Sequence, residues 1–303
     1  MTTPVLVAGG TGDLGRRIVR ELLLLDTHVR VLTRPGNSEA TRLCGENTRV
    51  EIVEARYTDP VALAAAVDGM TTVVSALSGT RPVIIDAQRA LLAAAVTASV
   101  PRFIPSDYSS DYRRIAIRSN RNFELRREFA ADVDAAPIRA TSILNGAFTD
   151  MLTGEAPLIL FKQHRVLYWS SADQILDFTT KDDTAYVTAQ VAINSDAPRV
   201  IEIAGDRITA RDIAKTMSSL TGQPFKLQWA GTTSTLSAMS KVTRRASRNP
   251  DETFPAWQGM QYFVSMFSGQ AQLRHLANDR FPGHAWTTVS DVLADHVNPT
   301  KPA

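Results

Sequence analysis

Short apolar runs alternate with helical patterns along the first half of the chain. The runs are rich in β-branched side chains, whereas the stretches between them place apolar residues at helical spacing. Such alternation is typical of a parallel sheet with helices on both faces. Strands are predicted at residues 4–8, 29–33, 49–54, 71–77, 102–105 and 138–144, and helices at 16–25, 61–67, 82–98 and 120–134.

The second half has a less regular pattern. Strands and helices do not alternate strictly here, which indicates a mixed α+β lobe. Strands are predicted at 158–162, 166–170, 175–178 and 200–204, and helices at 180–193, 209–220, 232–247, 255–268 and 288–297. The sequence therefore predicts an α/β chain: a doubly wound parallel sheet over 1–150 and a smaller α+β lobe over 151–303, with parts of the two free to interleave.

A glycine-rich loop joins the first predicted strand to the first predicted helix. Glycine permits a tight turn and close approach of the backbone to a ligand, and a helix N-terminus offers N–H groups and a positive dipole to phosphates. We therefore predict a Rossmann-type fold in which this loop binds a dinucleotide pyrophosphate through Gly9, Thr11, Gly12, Asp13, Leu14 and Gly15. The carboxylate of Asp13 is expected to cap the helix.

The second predicted strand ends in a basic residue. Folds that bind NAD place an acidic side chain there for the ribose 2′-hydroxyl, whereas this chain has Thr33-Arg34. A guanidinium suits a 2′-phosphate, so the cofactor is predicted to be NADP(H).

Further candidate cofactor-binding residues follow the later predicted strands. Ligands of open parallel sheets bind beyond the carboxyl ends of the strands. The residues expected to face the cofactor there are Leu77, Ser78, Pro105 and Asn145, with Ser106, Tyr108 and Phe148 close by.

Composition excludes several classes of protein. A net charge of +2 is too small to indicate nucleic-acid binding, and the five scattered histidines do not indicate a metal site.

The single Cys44 fits a reducing compartment. No apolar run is long enough to span a bilayer, and the loop at Gly9 leaves no room for a cleaved signal peptide. We expect a soluble, cytoplasmic protein that binds a small molecule and no membrane or nucleic acid. Whether it forms a homodimer or binds a regulatory protein is left open.

Several motifs, in order along nearly the whole chain, resemble the NmrA-like and isoflavone-reductase-like branch of the atypical short-chain dehydrogenases. They are the glycine loop, Thr33-Arg34-Pro35, Arg102-Phe103-Ile104-Pro105-Ser106-Asp107, Asn145-Gly146-Ala147-Phe148, and Asp177-Phe178-Thr179-Thr180 followed by Asp183. The resemblance implies NADP(H), a substrate lobe and, for many members, reduction of small aromatic compounds.

The chain departs from this family at the catalytic lysine. Isoflavone-reductase-like enzymes carry a lysine about four residues before an Arg-Arg pair, but here Asn122 precedes Arg126-Arg127 and no lysine occurs before Lys162. None of the tyrosines is followed four residues on by lysine, the arrangement that standard short-chain dehydrogenases use. Asn122, Tyr108 and Ser106 remain as candidate catalytic residues.

The missing lysine restricts the chemistry. A ketone or benzyl ether needs a proton at the developing oxyanion, whereas a quinone or extended enone delocalises the arriving charge. The leading hypothesis is therefore an NADP(H)-dependent oxidoreductase for a small apolar, aromatic or quinone-like compound. The alternatives are a redox-sensing regulator that binds NADP without turnover and a redox-neutral enzyme on the same scaffold.

One apolar segment has two interpretations. Met239, Trp257, Met260, Phe263, Met266 and Phe267 could line a pocket for a flat molecule or form a helix–helix core.

Overall fold

The computed structural model describes residues 4–44, 47–154, 156–249 and 252–299 of the 303-residue chain. The helices are α1 (Asp13–Leu24), α2 (Ser38–Cys44), α3 (Pro60–Val67), α4 (Gln88–Thr97), α5 (Arg121–Ala135), α6 (Lys181–Ile193), α7 (Ala210–Thr221), α8 (Thr233–Ala246), α9 (Ala256–Phe267) and α10 (Val289–Val297). The strands are β1 (Val5–Ala8), β2 (Val29–Thr33), β3 (Val50–Glu54), β4 (Thr72–Ser75), β5 (Arg102–Ile104), β6 (Arg139–Ala140), β7 (Ser142–Leu144), β8 (Ala147–Phe148), β9 (Ile159–Leu160), β10 (Arg165–Tyr168), β11 (Ile175–Thr179), β12 (Val200–Glu202), β13 (Asp206–Thr209) and β14 (Lys226–Trp229).

A six-stranded parallel sheet organises the first half. Its strand order is β3-β2-β1-β4-β5-β6, the order of a Rossmann fold, so the predicted fold class is confirmed. Leu6, Ala8 and Leu32 join a core cluster that includes Leu63 of α3 and Leu91 of α4. Since side chains alternate between the two faces of a strand, Val5, Val7 and Val31 face the opposite side, where Val31 and Val19 of α1 both lie against Gly10.

Most predicted elements are present, with shifted ends. Asp59 caps α3 by accepting bonds from the N–H groups of Val61 and Ala62, with Pro60 at the first helical position. The predicted helix 82–98 opens with one π-helical turn over Pro82–Ala87 before α4. The predicted strand 138–144 is two strands, because β6 pairs with β5 whereas β7 pairs with β12.

The second half contains several small sheets. Their strand orders are β14-β10-β9 and β13-β11-β8. A second apolar core fills this part of the molecule, and in it the Trp169 ring stacks on Phe263 at 5.1 Å and meets Phe267 edge-on. Phe263, Met266 and Phe267 are therefore core residues, and Trp257 is only 1% exposed. These contacts support the core interpretation for Phe263, Met266 and Phe267, whereas Met239 of the same set is 53% exposed.

The chain forms two compact units that interleave in sequence. One comprises Met1–Tyr108, Leu125–Ile143 and Thr184–Ile201, and the other Ser109–Glu124, Leu144–Asp183 and Glu202–Ala303. Helices α5 and α6 each begin in the second unit and continue in the first. No helix in the described part of the chain has the length and apolar character needed to cross a bilayer.

The close packing around Gly15 generates a stability prediction. A Cβ added at Gly15 would lie 2.1 Å from the Gly9 carbonyl oxygen, whereas one added at Gly259, in helix α9, meets no atom within 4 Å. Overpacking of this kind costs about 1–3 kcal/mol, so we expect Gly15→Ala to lower the midpoint of thermal unfolding by about 2–10 °C.

Gly259→Ala is the matched control, since it adds the same methyl group to a helix. Alanine is favoured over glycine in helices by about 1 kcal/mol, so its midpoint should stay the same or rise slightly. Equal midpoints for the two variants would contradict the proposed backbone contact.

Candidate dinucleotide site and reaction residues

The glycine loop turns sharply between β1 and α1. Gly9 has φ +80°, a conformation that side chains disfavour, and its carbonyl accepts a 3.0 Å bond from the Gly12 N–H. A Cβ on Gly9 would lie 2.7 Å from the Ala76 carbonyl oxygen. Gly9 and Gly15 are thus required by the packing of the loop itself, which holds the start of α1 against the end of β1.

The N-terminus of α1 is open to an anion. Gly12 is the N-cap residue and provides no side-chain hydrogen bond to the first turn. The first N–H groups of a helix have no intrahelical partners, and together with the helix dipole they attract phosphate. The backbone of this loop therefore fits a pyrophosphate.

The prediction that Asp13 caps this helix is wrong. Asp13 is the first helical residue, and its carboxylate accepts bonds from Arg16 at 3.0 Å and Arg17 at 3.1 Å. Residues three and four positions apart share a face of a helix, so the Asp13 carboxylate is bonded to these two guanidiniums and does not cap the helix. Its negative charge is thereby partly neutralised beside the open N-terminus.

Asn37 connects the glycine loop to the end of β2. Its Nδ2 donates to the hydroxyl of Thr33 at 2.8 Å and to that of Thr11 at 3.3 Å. Sequence reasoning missed this residue, since an asparagine in a loop carries no signal of a partner so distant along the chain.

Arg34 lines a cavity at the carboxyl ends of β2 and β3. The cavity has a volume of about 490 Å³ and is lined by Arg34, Pro35, Gly36, Asn37, Arg56, Tyr57 and Thr58. Burial raises the pKa of Tyr57 to about 12, and nearby Arg34 offsets only part of this rise. Arg56 was not among the predicted site residues.

The ends of β4 and β5 are linked by Ser106. Its hydroxyl donates to the Leu77 carbonyl at 2.6 Å, and its N–H donates to the Gln88 side chain at 2.9 Å. The structure thus brings Leu77 and Ser106 together, next to Ser78 and Pro105 in the chain. The Ser106 proton is already held by a backbone oxygen, which makes this hydroxyl a positioned structural group.

Tyr108 is buried in the same unit. It is 6% exposed, and burial raises its pKa well above the usual range. Within the described residues its hydroxyl has no hydrogen-bond partner. The neighbouring Asp107 carboxylate accepts a 2.6 Å bond from Ser142 and raises the pKa of Tyr108 further. The phenol therefore stays protonated and is a poor acid.

Asn122 lies in the second unit, near the start of α5. Its Nδ2 donates to the Thr253 carbonyl at 3.2 Å and to the Tyr262 hydroxyl at 3.1 Å, and its Oδ1 accepts from Arg121 at 3.0 Å. The residue is 2% exposed. Its amide is thus occupied in tying α5 to α9 and to the segment before it.

Asn145 is also in the second unit, but unlike Asn122 its side-chain amide is not bonded to the described residues. Its backbone N–H donates to Ser109 and its carbonyl accepts from Thr179, but within the described residues neither Oδ1 nor Nδ2 has a hydrogen-bond partner. The side chain is fully buried. A buried, unpaired amide is uncommon in native proteins and fits a group that binds a ligand.

Comparisons with known proteins agree with this architecture. Pinoresinol reductase 2 of Arabidopsis thaliana is 32% identical over 202 residues, which cover 62% of this chain and 64% of that protein. The match therefore spans less than two thirds of that relative.

Solved structures share the fold. The structure of AtPrR2 with NADP+ and (+)pinoresinol has a TM-score of 0.82 and 24% identity, and covers 98% of this chain and 99% of that one. The crystal structure of isoflavone reductase has a TM-score of 0.81 and 18% identity, and covers 97% and 99%.

The model of the NmrA-like family matches residues 1–248, which include the glycine loop and every residue predicted for the site. This chain therefore belongs to the NmrA-like family.

Proposed function

We propose that this protein is an NADPH-dependent reductase of small aromatic compounds. The observation that carries the proposal is the open N-terminus of α1, held against β1 by Gly9 and Gly15, in the same unit as the Arg34 cavity. The pyrophosphate would be bound by the loop backbone and by Thr11, and the 2′-phosphate by Arg34. When bound, the reduced nicotinamide supplies hydride.

The names of similar proteins support the substrate class. Pinoresinol reductase 2 is named for an aromatic substrate, and the AtPrR2 structure is described with NADP+ and (+)pinoresinol. We extend to this chain the coarser property, reduction of a small aromatic molecule. Leu77, Ser78 and Pro105 are proposed to lie along the cofactor in their unit, and the buried amide of Asn145 is proposed to bind ligand in the other.

The state of the three predicted catalytic side chains restricts the type of compound that could accept hydride. Ser106 donates to Leu77, burial makes the Tyr108 phenol a weaker acid by raising its pKa, and the Asn122 amide is bonded to Thr253 and Tyr262. We therefore propose that none of the three predicted catalytic residues supplies a strong general acid. We propose acceptors that delocalise the arriving charge, such as quinones or enones, for which water suffices as the proton source.

The same observation favours a second candidate function. A protein that binds NADP(H) and signals its oxidation state to a partner needs no acid at these positions. It would bind NADP+ and NADPH with different affinities and would not reduce quinones or enones. The proposed reductase would consume NADPH with at least one such acceptor.

The cofactor assignment predicts a preference for phosphorylated dinucleotides. Titration with NADP+, NADPH, NAD+ and NADH should show tighter binding of the first pair. Arg34→Ala should weaken NADPH binding by about 10- to 100-fold, because a hydrogen bond to a charged group contributes about 1.5–3 kcal/mol. NADH binding should change much less. Equal affinity of the wild type for NADPH and NADH would contradict the assignment.

The absence of a poised acid predicts small catalytic effects. Ser106→Ala, Tyr108→Phe and Asn122→Ala should each lower kcat with a quinone by less than about tenfold, since loss of a positioned acid costs roughly 10²–10⁴-fold. Thermal unfolding of each variant serves as the control for folding. A loss of more than about 100-fold in a folded variant would identify that residue as the acid and overturn this part of the proposal.

A further inference from the structure

A second arginine lies at the same edge of the parallel sheet as Arg34. Strands β2 and β3 are paired so that Thr33 is opposite Glu54, and the Ala55 N–H donates to the Thr33 carbonyl at 3.0 Å. Arg34 follows β2 directly, and Arg56 follows Ala55. The paired strand ends therefore place both arginines at one edge, where both line the 490 Å³ cavity.

Two acids close in sequence to the lining residues are bonded to backbone groups. Glu54 Oε1 accepts from the Gly36 N–H at 3.2 Å, and Asp59 accepts from the N–H groups of Val61 and Ala62. Neither acid is among the residues that line the cavity. The charged side chains that line the cavity are therefore two arginines and no carboxylate.

Arg34 and Arg56 differ from other arginines of the same unit. Arg30 pairs with Glu51 at 2.7 Å and Arg49 with Asp26 at 2.6 Å. Among the described residues, no hydrogen bond or ion pair engages the guanidinium of Arg34 or Arg56, and both side chains are exposed. Two unpaired cations that face one cavity fit a polyvalent anion.

We propose that Arg56 is a second specificity-determining residue, which binds the 2′-phosphate of the dinucleotide together with Arg34. This inference rests on the proposed function. A phosphate monoester carries a charge of about −1.5 to −2 near pH 7 and has three acceptor oxygens, so a single guanidinium leaves charge and acceptors unmatched. Two planar guanidiniums from adjacent strand ends match both.

A different role for Arg56 makes a different prediction. If the guanidinium packed over the adenine ring, which NADPH and NADH share, its loss would weaken both cofactors equally. Binding of the 2′-phosphate affects NADPH alone. The ratio of the two dissociation constants therefore separates the roles.

The experiment compares NADPH and NADH binding by isothermal titration calorimetry at an ionic strength of about 0.15 M, where distant surface charges are screened. The variants are Arg56→Gln, Arg34→Gln and Arg56→Lys, with Arg42→Gln as the matched control. Arg42 is exposed, pairs with Glu39 on α2 and does not line the cavity, so its loss removes the same charge from the same unit.

Arg56→Gln should weaken NADPH binding by about 10- to 100-fold. It should leave NADH binding within about threefold of wild type, as a lost surface charge acts weakly at a distance. Arg56→Lys should fall between Arg56→Gln and wild type, because it keeps the charge but loses the planar fork. Arg42→Gln should leave both constants within about threefold.

Two failures are distinguishable. If the wild type prefers NADPH and Arg34→Gln abolishes that preference while folded Arg56→Gln does not, the role of Arg56 is overturned and the cofactor assignment stands. Equal weakening of NADPH and NADH in Arg56→Gln also overturns it. If the wild type shows no preference for NADPH over NADH, the cofactor assignment itself fails.

Discussion

The contact between the backbones of Gly15 and Gly9 determines the geometry at this edge of the sheet. A single methyl group at Gly15 would meet the Gly9 carbonyl at 2.1 Å, so helix α1 starts as close to β1 as two backbones allow. That distance places the open N-terminus of α1 directly beyond the strand. Since β2 and β4 both pair with β1, the groups that follow them lie next to the same helix end. The position of the anion site therefore depends on the absence of two Cβ atoms.

Polar side chains in this molecule fall into two groups. Ser106, Asn122 and Gln88 form hydrogen bonds with the protein itself, which fix loops and helix ends. Arg34, Arg56 and the amide of Asn145 form none within the described residues. The first group provides rigidity, and the second offers charge or hydrogen bonds to a ligand. Asn122, which the resemblance predicts at the position of the family's lysine, belongs to the first group because its amide is bonded to Thr253 and Tyr262.

The sequence predicted the parallel sheet and the glycine loop, since both depend on local patterns of apolar residues and glycines. It did not predict the break at Thr141, where the chain changes partners from β5 to β12, because pairing between distant strands has no local signal. Strand β14 was missed because three of its four residues are exposed or polar. The hydrogen-bond partners of the Asn122 side chain lie 131 and 140 residues away in the chain, so the sequence around Asn122 does not predict them. Arg56 was missed because only the register of β2 and β3 places it beside Arg34.

The interleaving of the two units has a consequence for the order of synthesis. The last segment of the first unit is bonded to two strands of its sheet: the Thr72 hydroxyl donates to the Ala192 carbonyl, and Arg102 donates to the Ser195 carbonyl. A ribosome makes those two carbonyls only after two segments of the second unit. The first unit therefore cannot be completed until residues far downstream have been synthesised. A newly made N-terminal part of this protein therefore lacks these contacts, and incompletely packed intermediates of this kind are prone to aggregate.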